Sequence, residues 1–237
     1  MLTAFKQHFT LNRNDFLVLP AFMAGGFLFG QLLLAIALSI EGPAEWFPIA
    51  SLMTVISGIV AVLLMGGVGF AHSYRTALVM SRCRKPMLGA GFLHDLLLGI
   101  LLAILTVPFM GLDLLIARLY RVPDQAALDV LRSLLRAPWV LLLAAPPLAC
   151  SALFTGAVQS RVSRKVAVLL YILFLSSINL ISPIITAVEE QPESLIARIF
   201  RMLAELPPVF WIAAVIALLG LMLWAAMRML YTLRAEV

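Results

Sequence analysis

Six long stretches of the chain carry almost no charge and show no alternation of polar and apolar positions. An α-helix needs about 20 apolar residues to cross a hydrocarbon core of about 30 Å, and each stretch is long enough. The absence of alternation argues against membrane β-strands. The pattern therefore predicts an all-α membrane protein with six transmembrane helices, at residues 17–40, 47–70, 87–112, 137–159, 166–188 and 207–230.

The composition agrees with this prediction. Of the 237 residues, 63% are hydrophobic and 12% are charged, whereas a soluble domain has about 45–50% apolar and about 25% charged residues. A chain this apolar has too little polar surface to cover itself in water, so its helices must face lipid or another subunit. We interpret residues 1–237 as a single transmembrane domain.

Lysine and arginine concentrate in the amino-terminal segment, in the loops after the second and fourth spans, and in the carboxyl-terminal segment. Short loops rich in these residues face the cytoplasm. The pattern therefore predicts that both termini are cytoplasmic, and it assigns Asp113 to an outer loop. The net charge of +5 is explained by this topology, and we expect no nucleic-acid partner.

Several shorter segments have helical patterns without the length to span. Residues 1–13 are typical of an amphipathic helix on the inner membrane surface, although a frayed tail is the alternative. Apolar positions recur at helical spacing over 124–135 and 192–206, which predicts two amphipathic helices on the outer face. Prolines also fall inside three spans, where each is expected to bend or break its helix: Pro108, Pro146, Pro147 and Pro183.

The chain offers little catalytic chemistry. It has no phosphate-binding loop and no zinc or di-iron ligand spacing, so we predict no catalytic residue, no metal and no cofactor on this chain. Asp95 is the one acid near a membrane core, and two interpretations of it stay open. It either pairs with Arg84 or Lys85 or lies in interfacial water at the inner boundary, or it takes part in proton or ion coupling. The adjacent His94 should point about 100° away on a helix.

Small and polar residues mark two further features of the spans. Gly26 and Gly30 form a Gly-x-x-x-Gly motif, which lets helix backbones approach closely. Ser176, Ser177 and Asn179 lie at mid-depth of the predicted fifth span. Their hydroxyl and amide groups either join helices by hydrogen bonds or line a polar path.

Between the second and third spans the sequence reads FAHSYRTALVMSRCRKP from Phe70 to Pro86, with apolar residues on one face of a short helix and a basic cluster at the end. A six-span chain with an amphipathic helix before the first span, a short helix between spans two and three, and outer helices between spans five and six resembles the permease subunits of ABC-2-type transporters. Small bacterial members often carry a similar basic cluster ahead of the third span.

The resemblance implies an exporter in the bacterial cytoplasmic membrane, in which two permease subunits, identical or different, form the channel. A separate ATPase subunit would bind ATP and Mg, and the transported substrate would be an apolar or amphipathic peptide, lipid or drug. The short helix and its basic cluster would contact the ATPase. The coupling residues implied are Tyr74, Arg75, Ser81, Arg82, Arg84 and Lys85.

The same resemblance implies roles for the spans. Spans two and five would line the substrate path, and spans one and five would form the dimer seam, with Gly26 and Gly30 as packing residues. The path residues implied are Thr54, Ser57, Ser176, Ser177 and Asn179.

Two other functions fit the sequence. An ion-coupled secondary carrier would use a charged or polar midplane site, for which Asp95 and Asn179 are the candidates. A membrane scaffold without transport activity is the third hypothesis. Replacement of Asp95 by Asn separates the first two, since it should abolish coupled flux in a carrier and leave ATP-driven export largely intact.

Overall fold

The fold was analysed in a computed structural model, which describes residues 6, 8–10, 12–41, 46–79, 84–120, 122, 126–162, 166, 169 and 207–232. Within these residues every regular element is helical, and five helices are long and apolar enough to cross a membrane. This finding confirms the prediction of a helical membrane protein. Of the predicted span at 166–188, only Val166 and Leu169 are described, so the sixth crossing stays a prediction.

The described helices follow the apolar stretches in order. Each is a continuous run of apolar and helix-compatible residues, interrupted where proline or a polar loop intervenes. Their bounds are α1 Asp15–Glu41, α2 Ile49–Leu63, a π-helix Leu64–Gly69, α3 Phe70–Val79, α4 Arg84–Leu119, α5 Ala126–Arg136, α6 Trp139–Leu142, α7 Ala145–Arg161 and α8 Pro208–Tyr231.

The second span and the short helix after it form one uninterrupted helical run. Helix α2 passes directly into the π-helix, and the π-helix passes into α3. A π-helix contains one extra residue per turn, which rotates the side chains that follow, and such segments often occur at functional sites. Helix α3 is therefore an extension of span two rather than a separate helix after a loop.

Helix α4 is longer than its apolar stretch predicts. The third span was predicted to end at residue 112, with Asp113 in an outer loop, and this placement of Asp113 is wrong. The helix runs on to Leu119, and Asp113 is fully buried within it. The charge does not end the helix because other helices donate hydrogen bonds to it, as described below.

The prolines act differently in two spans. Helix α4 continues through Pro108. The fourth span, in contrast, is divided into α6 and α7 by a turn at Leu143 and Ala144. Pro146 and Pro147 lie in the first turn of α7, where a missing backbone donor costs little. Pro183 lies outside the described residues.

Contacts between the helices define two ends of the bundle. At the lower end, the hydroxyl of Tyr74 donates to the carbonyl oxygen of Leu230 over 2.9 Å, and Arg161 donates to the carbonyl oxygen of Met229. Helix α1 begins at this end. At the upper end, α1 ends and α2 begins, next to the last turns of α4.

The described residues form three apolar clusters along the interior. The apolar cluster at the lower end joins α3, α4, α7 and α8, and the middle cluster joins α1, α2 and α4. The upper cluster places α5 over Trp46 and the end of α4. The amphipathic helix predicted over 124–135 is thus present as α5, with Leu128 and Leu131 buried. The segment at 192–206 lies outside the described residues.

Candidate functional site: buried acids on one helix

Two carboxylates lie inside the bundle on α4. Asp95 is 1% exposed and Asp113 is 0% exposed. They are 18 residues apart, which is five turns of an α-helix at 3.6 residues per turn and about 27 Å at 1.5 Å per residue. Both therefore lie on the same face of the helix, Asp95 towards the lower end and Asp113 towards the upper end.

Asp95 is next to an imidazole ring. The Nδ1 atom of His94 lies 3.4 Å from Oδ1 of Asp95, although adjacent helical residues point about 100° apart. The other ring nitrogen, Nε2, lies 3.6 Å from Oδ2 of Asp15 at the start of α1. The ring of His94 is 1% exposed, so one buried imidazole stands between two carboxylates from different helices.

The amino-terminal segment covers this arrangement. His8 is buried, and its ring lies edge-on to His94, with 5.1 Å between the ring centroids. Phe70 of α3 lies on the same ring of His8 at 6.0 Å, and Phe16 contacts His94 at 5.3 Å. We call the group formed by His8, Asp15, His94 and Asp95 the lower cluster site.

His8 is uncharged near neutral pH in this setting. Burial, which removes water from the ring, and to a smaller extent the charge of the neighbouring His94, together lower the pKa of His8 from 6.5 to about 4. Its ring nitrogens lie 3.2 and 3.4 Å from the amide nitrogen of Asn12. Which ring nitrogen of a neutral histidine carries the hydrogen is inferred from its hydrogen-bond partners.

The π-helix forms another wall of the lower cluster site. A Cβ atom on Gly66 would lie 2.7 Å from Oδ1 of Asp95 and 2.9 Å from Cβ of Ala152 in α7. The carboxylate therefore packs directly against the backbone of Gly66. Two atoms in this group are buried without a hydrogen-bond partner among the residues that the structure describes, Oδ2 of Asp95 and Nε2 of His94. Most buried polar atoms in proteins have a partner, so these two require an explanation.

Asp113 has quite different surroundings. Its Oδ2 accepts the backbone N–H of Ser51 at 3.0 Å and the Ser51 hydroxyl at 2.7 Å, and its Oδ1 accepts Nε2 of Gln31 at 3.3 Å. Ser51 is in the first turn of α2, whose N-cap residue Pro48 provides no side-chain hydrogen bond. Asp113 therefore caps α2 from a different helix, where a negative charge also suits the helix dipole.

The face of α4 between the two acids is apolar. It contributes Leu98 and Leu102 to the middle cluster, opposite Leu19 and Met23 of α1. Thr106, also buried on this face, donates its hydroxyl to the Leu102 carbonyl of its own helix. The two acids are therefore separate sites.

The predicted coupling residues fall into three groups. Tyr74 is fully buried in the apolar cluster at the lower end, so its side chain is turned into the bundle. The backbones of Arg75, Arg84 and Lys85 are in α3 and α4. Ser81 and Arg82 lie outside the described residues.

The predicted path and packing residues come together between α1 and α2. The hydroxyl of Thr54 donates to Ala50 and that of Ser57 to Thr54, both within their own helix. A Cβ on Gly26 would clash with Ser57 and with the Met53 carbonyl oxygen, and one on Gly30 would clash with the backbone of Ala50. The glycine face is therefore filled by α2 of the same chain. Ser176, Ser177 and Asn179 lie outside the described residues.

Reasoning from the sequence identified Asp95 but missed the group around it. Asp15, His94 and Asp95 all lie close to predicted boundaries on the same side of the membrane, and that shared depth was the available signal. The contribution of His8 depends on how the amino-terminal segment folds back, which no local pattern indicates. Across the described residues, no group of three or more His, Cys, Asp or Glu is arranged to hold a metal.

Comparison with known proteins gives no match: no family model, no curated protein and no solved structure is significantly similar to this chain. The class that the fold defines is a multi-pass helical membrane protein. A more specific function has to be argued from the chain's own residues.

Proposed function

We propose that the chain is the permease subunit of an ATP-driven exporter of the ABC-2 type. It would work with a second permease subunit and with a separate ATPase that binds ATP and Mg, and it would move an apolar or amphipathic substrate. In this proposal the lower end faces the bacterial cytoplasm, in line with its basic segments. Two things support the proposal: the resemblance in predicted span order and basic loop, and one observation on how the basic segment is attached.

The segment at 75–85 is attached at both ends to the apolar cluster at the lower end of the bundle. Phe70 and Tyr74 precede the segment, and Met87 and Leu88 follow it. The rings of Phe70 and Tyr74 are stacked, with 5.5 Å between their centroids.

Two further helices complete the same cluster. Leu153 and Ala157 come from α7, and Ala226 and Leu230 come from α8. The bond from the Tyr74 hydroxyl to the Leu230 carbonyl oxygen ties α3 to α8 directly. Because packed interiors transmit displacement rather than absorb it, a force on the segment at 75–85 would move four helices together. A coupling segment in a transporter needs this attachment.

The test is purification of the full chain from its host in a mild detergent, with mass spectrometry and ATPase assay of the eluate. We expect an ATPase subunit to co-purify with the natural chain and to be lost from the variant with Arg82, Arg84 and Lys85 all replaced by Ala. The matched control replaces three basic residues towards the upper end, Arg118, Arg132 and Arg136, and should keep the ATPase. A natural chain that elutes without any nucleotide-binding partner would exclude this function.

Removal of positive charge can also change membrane orientation, so the variant needs a second form. Replacement of Arg82 and Arg84 by Lys keeps the charge but removes the forked hydrogen bonding of guanidinium. We expect this form to insert normally and to bind the ATPase more weakly. Normal ATPase binding by the Lys form would indicate that only charge is recognised.

A second candidate function is an ion-coupled carrier, and the lower cluster site is the observation in its favour. Buried ionisable residues in membrane helices often mark ion or proton pathways. Replacement of Asp95 by Asn should abolish uptake driven by a pH gradient in a carrier. Under the first proposal, the same variant should retain ATP-driven export.

A further inference from the structure

We infer that Asp15, His94 and Asp95 form a proton-binding relay, in which His94 passes a proton between water at the lower end of the bundle and the buried carboxyl group of Asp95. This inference concerns the chain itself and does not depend on the proposed ATPase partner.

The geometry gives the relay its direction. The side chain of Asp15 is 20% exposed and that of His94 is 2% exposed, while Asp95 is 1% exposed. Each ring nitrogen of His94 faces one carboxylate, at 3.6 Å for Asp15 and 3.4 Å for Asp95. An imidazole accepts a proton at one nitrogen and releases one from the other. Exposure thus falls from the water-facing acid to the inner acid, with the ring between them.

A charge count indicates why a proton is held there. Two carboxylates carry two negative charges, and a protonated His94 neutralises only one of them, because His8 is neutral near pH 7. A net negative charge in a buried site is costly. One further proton makes the group neutral. It passes from Nδ1 of His94 to Oδ1 of Asp95, the oxygen that faces this nitrogen. Rotation of the carboxyl group then exchanges Oδ1 with Oδ2, which has no hydrogen-bond partner among the described residues.

The basic side chains that the structure describes on the surrounding elements lie at the surface. Lys6 and Arg13, on the amino-terminal segment, and His72, on α3, are exposed. On α7, Arg161 is exposed and donates to the Met229 carbonyl oxygen and the Thr232 hydroxyl. The π-helix, Leu64–Gly69, contains no ionisable residue.

Protonation of Asp95 would act on the packing of the second span. The carboxylate lies against Gly66 in the π-helix, and Ala152 of α7 contacts the same glycine. Loss of the negative charge changes the electrostatic interaction between this carboxyl group and the backbone of Gly66. The relay is therefore positioned to link the pH at the lower end with the packing of the π-helix.

The test is infrared spectroscopy of the full chain in lipid nanodiscs, between about pH 5 and 8, the range over which a histidine site responds. The carbonyl stretch of a protonated carboxylic acid reports the proton directly. We expect a band that disappears on raising the pH and that is missing in Asp95→Asn. The band should survive in Asp129→Asn, where the acid is exposed and paired with Arg132, and in Asp113→Asn.

Two further variants retain Asp15, His94 and Asp95, so the test does not depend on whether Asp95→Asn folds. The added Cβ of Gly66→Ala would lie 2.7 Å from Oδ1 of Asp95 and 2.9 Å from Cβ of Ala152. Because the carboxyl group must move relative to His94, this variant should shift the midpoint of the band by more than about half a pH unit. Gly69→Ala is the matched control in the same π-helix, because nothing lies within 4 Å of its added Cβ, and it should leave the midpoint unchanged. Equal shifts in both variants would contradict the relay.

Sodium ions are the second probe. If the group prefers a cation, sodium will displace the proton. Replacement of choline chloride by NaCl at constant pH should then remove the band. Such a loss would overturn the proposal in favour of a cation site, and a band that does not respond to sodium supports it. The absence of any protonated-carboxyl band from the natural chain, at every pH tested, would also overturn it.

Discussion

Asp95 and Asp113, two buried acids on the same face of α4, differ in what surrounds their oxygens. Asp113 accepts three hydrogen bonds from α1 and α2. Within the described residues, Asp95 has one polar contact, at 3.4 Å to His94, and an oxygen without a hydrogen-bond partner. The two acids are therefore equally buried but differ in hydrogen bonding. Both oxygens of Asp113 accept hydrogen bonds, whereas one oxygen of Asp95 can still accept one.

The difference indicates which of two buried charges is structural. A carboxylate that accepts bonds at both oxygens, at the start of another helix, stabilises its ionised form and the helix together. A carboxylate with an imidazole near one oxygen, and with no hydrogen-bond partner among the described residues at the other, can exchange a proton with the ring. Such residues are common at sites that bind or transfer protons. We assign Asp113 to stability and Asp95 to proton chemistry, and four predictions test this assignment.

The largest expected effect is on stability. Replacement of Asp113 by Asn should lower the free energy of unfolding by about 2 kcal/mol, because an amide cannot accept all three bonds and carries no charge. Asp95→Asn should change it by less than about 1 kcal/mol, since only one long contact is weakened. Thermal unfolding of both variants in the same detergent measures the difference. A larger loss in Asp95→Asn than in Asp113→Asn would reverse the assignment.

The second prediction compares one glycine near each acid. Gly30→Ala forces its Cβ onto the backbone of Ala50, next to Ser51, and should cost about 2 kcal/mol, within the usual range for overpacking. Gly66→Ala meets the carboxylate of Asp95 at 2.7 Å and Cβ of Ala152 at 2.9 Å, so it should have a similar cost and should also shift the proton binding of Asp95. Gly25→Ala, which has open space, is the control for the first variant. Equal costs at Gly30 and Gly25 would show that the α1–α2 contact is loose.

The third prediction concerns pH and the amino-terminal segment. The pKa of His8 is about 4 in the folded chain and 6.5 when exposed. Between these pH values, His8 is protonated when the segment is undocked and neutral when it is docked. The equilibrium constant for docking of the amino-terminal segment is therefore highest above pH 6.5. It decreases as the pH falls towards 4, by at most about tenfold per pH unit. The titratable group in contact with the ring of His8 is His94.

Hydrogen exchange of residues 8–10, corrected for its intrinsic pH dependence, measures the undocking of the amino-terminal segment. His8→Phe keeps the ring contacts with Phe70 and should flatten the pH profile. His72→Phe, at an exposed histidine, should leave the profile as it is. If His8→Phe kept the full pH dependence, the change would have to come from the acids alone.

The helices themselves were largely predictable, because a membrane span is defined by the length of an apolar run and five such helices occur in the described residues. Asp113 shows where this reasoning fails. A charge ends an apolar run in sequence, but α4 continues because Ser51 and Gln31, which are 62 and 82 residues away in sequence, bond to the carboxylate. Partners so distant leave no local signal.

The candidate site was predictable only in part. Asp95 is visible as an acid near an apolar stretch, and His94 is its neighbour in sequence. Their relation to Asp15 and His8 depends on how α1 meets α4, which periodicity does not determine. The role of Gly26 and Gly30 had the same limit, since a Gly-x-x-x-Gly motif indicates a close contact without indicating whether the partner is the same chain or another copy.

The smallest expected effect is at Tyr74, on the side of the lower end that holds the proposed coupling segment. Tyr74→Phe leaves the stacked ring in place and removes the bond to the Leu230 carbonyl oxygen, at a cost of about 1 kcal/mol. Since Ala226 and Leu230 are the buried residues of α8, the loss should appear as faster hydrogen exchange near the end of that helix. Tyr120→Phe, at an exposed tyrosine, is the control. The proton band of Asp95 should keep its midpoint in Tyr74→Phe; a shift as large as that of Gly66→Ala would mean that the coupling segment and the relay form one connected device rather than two.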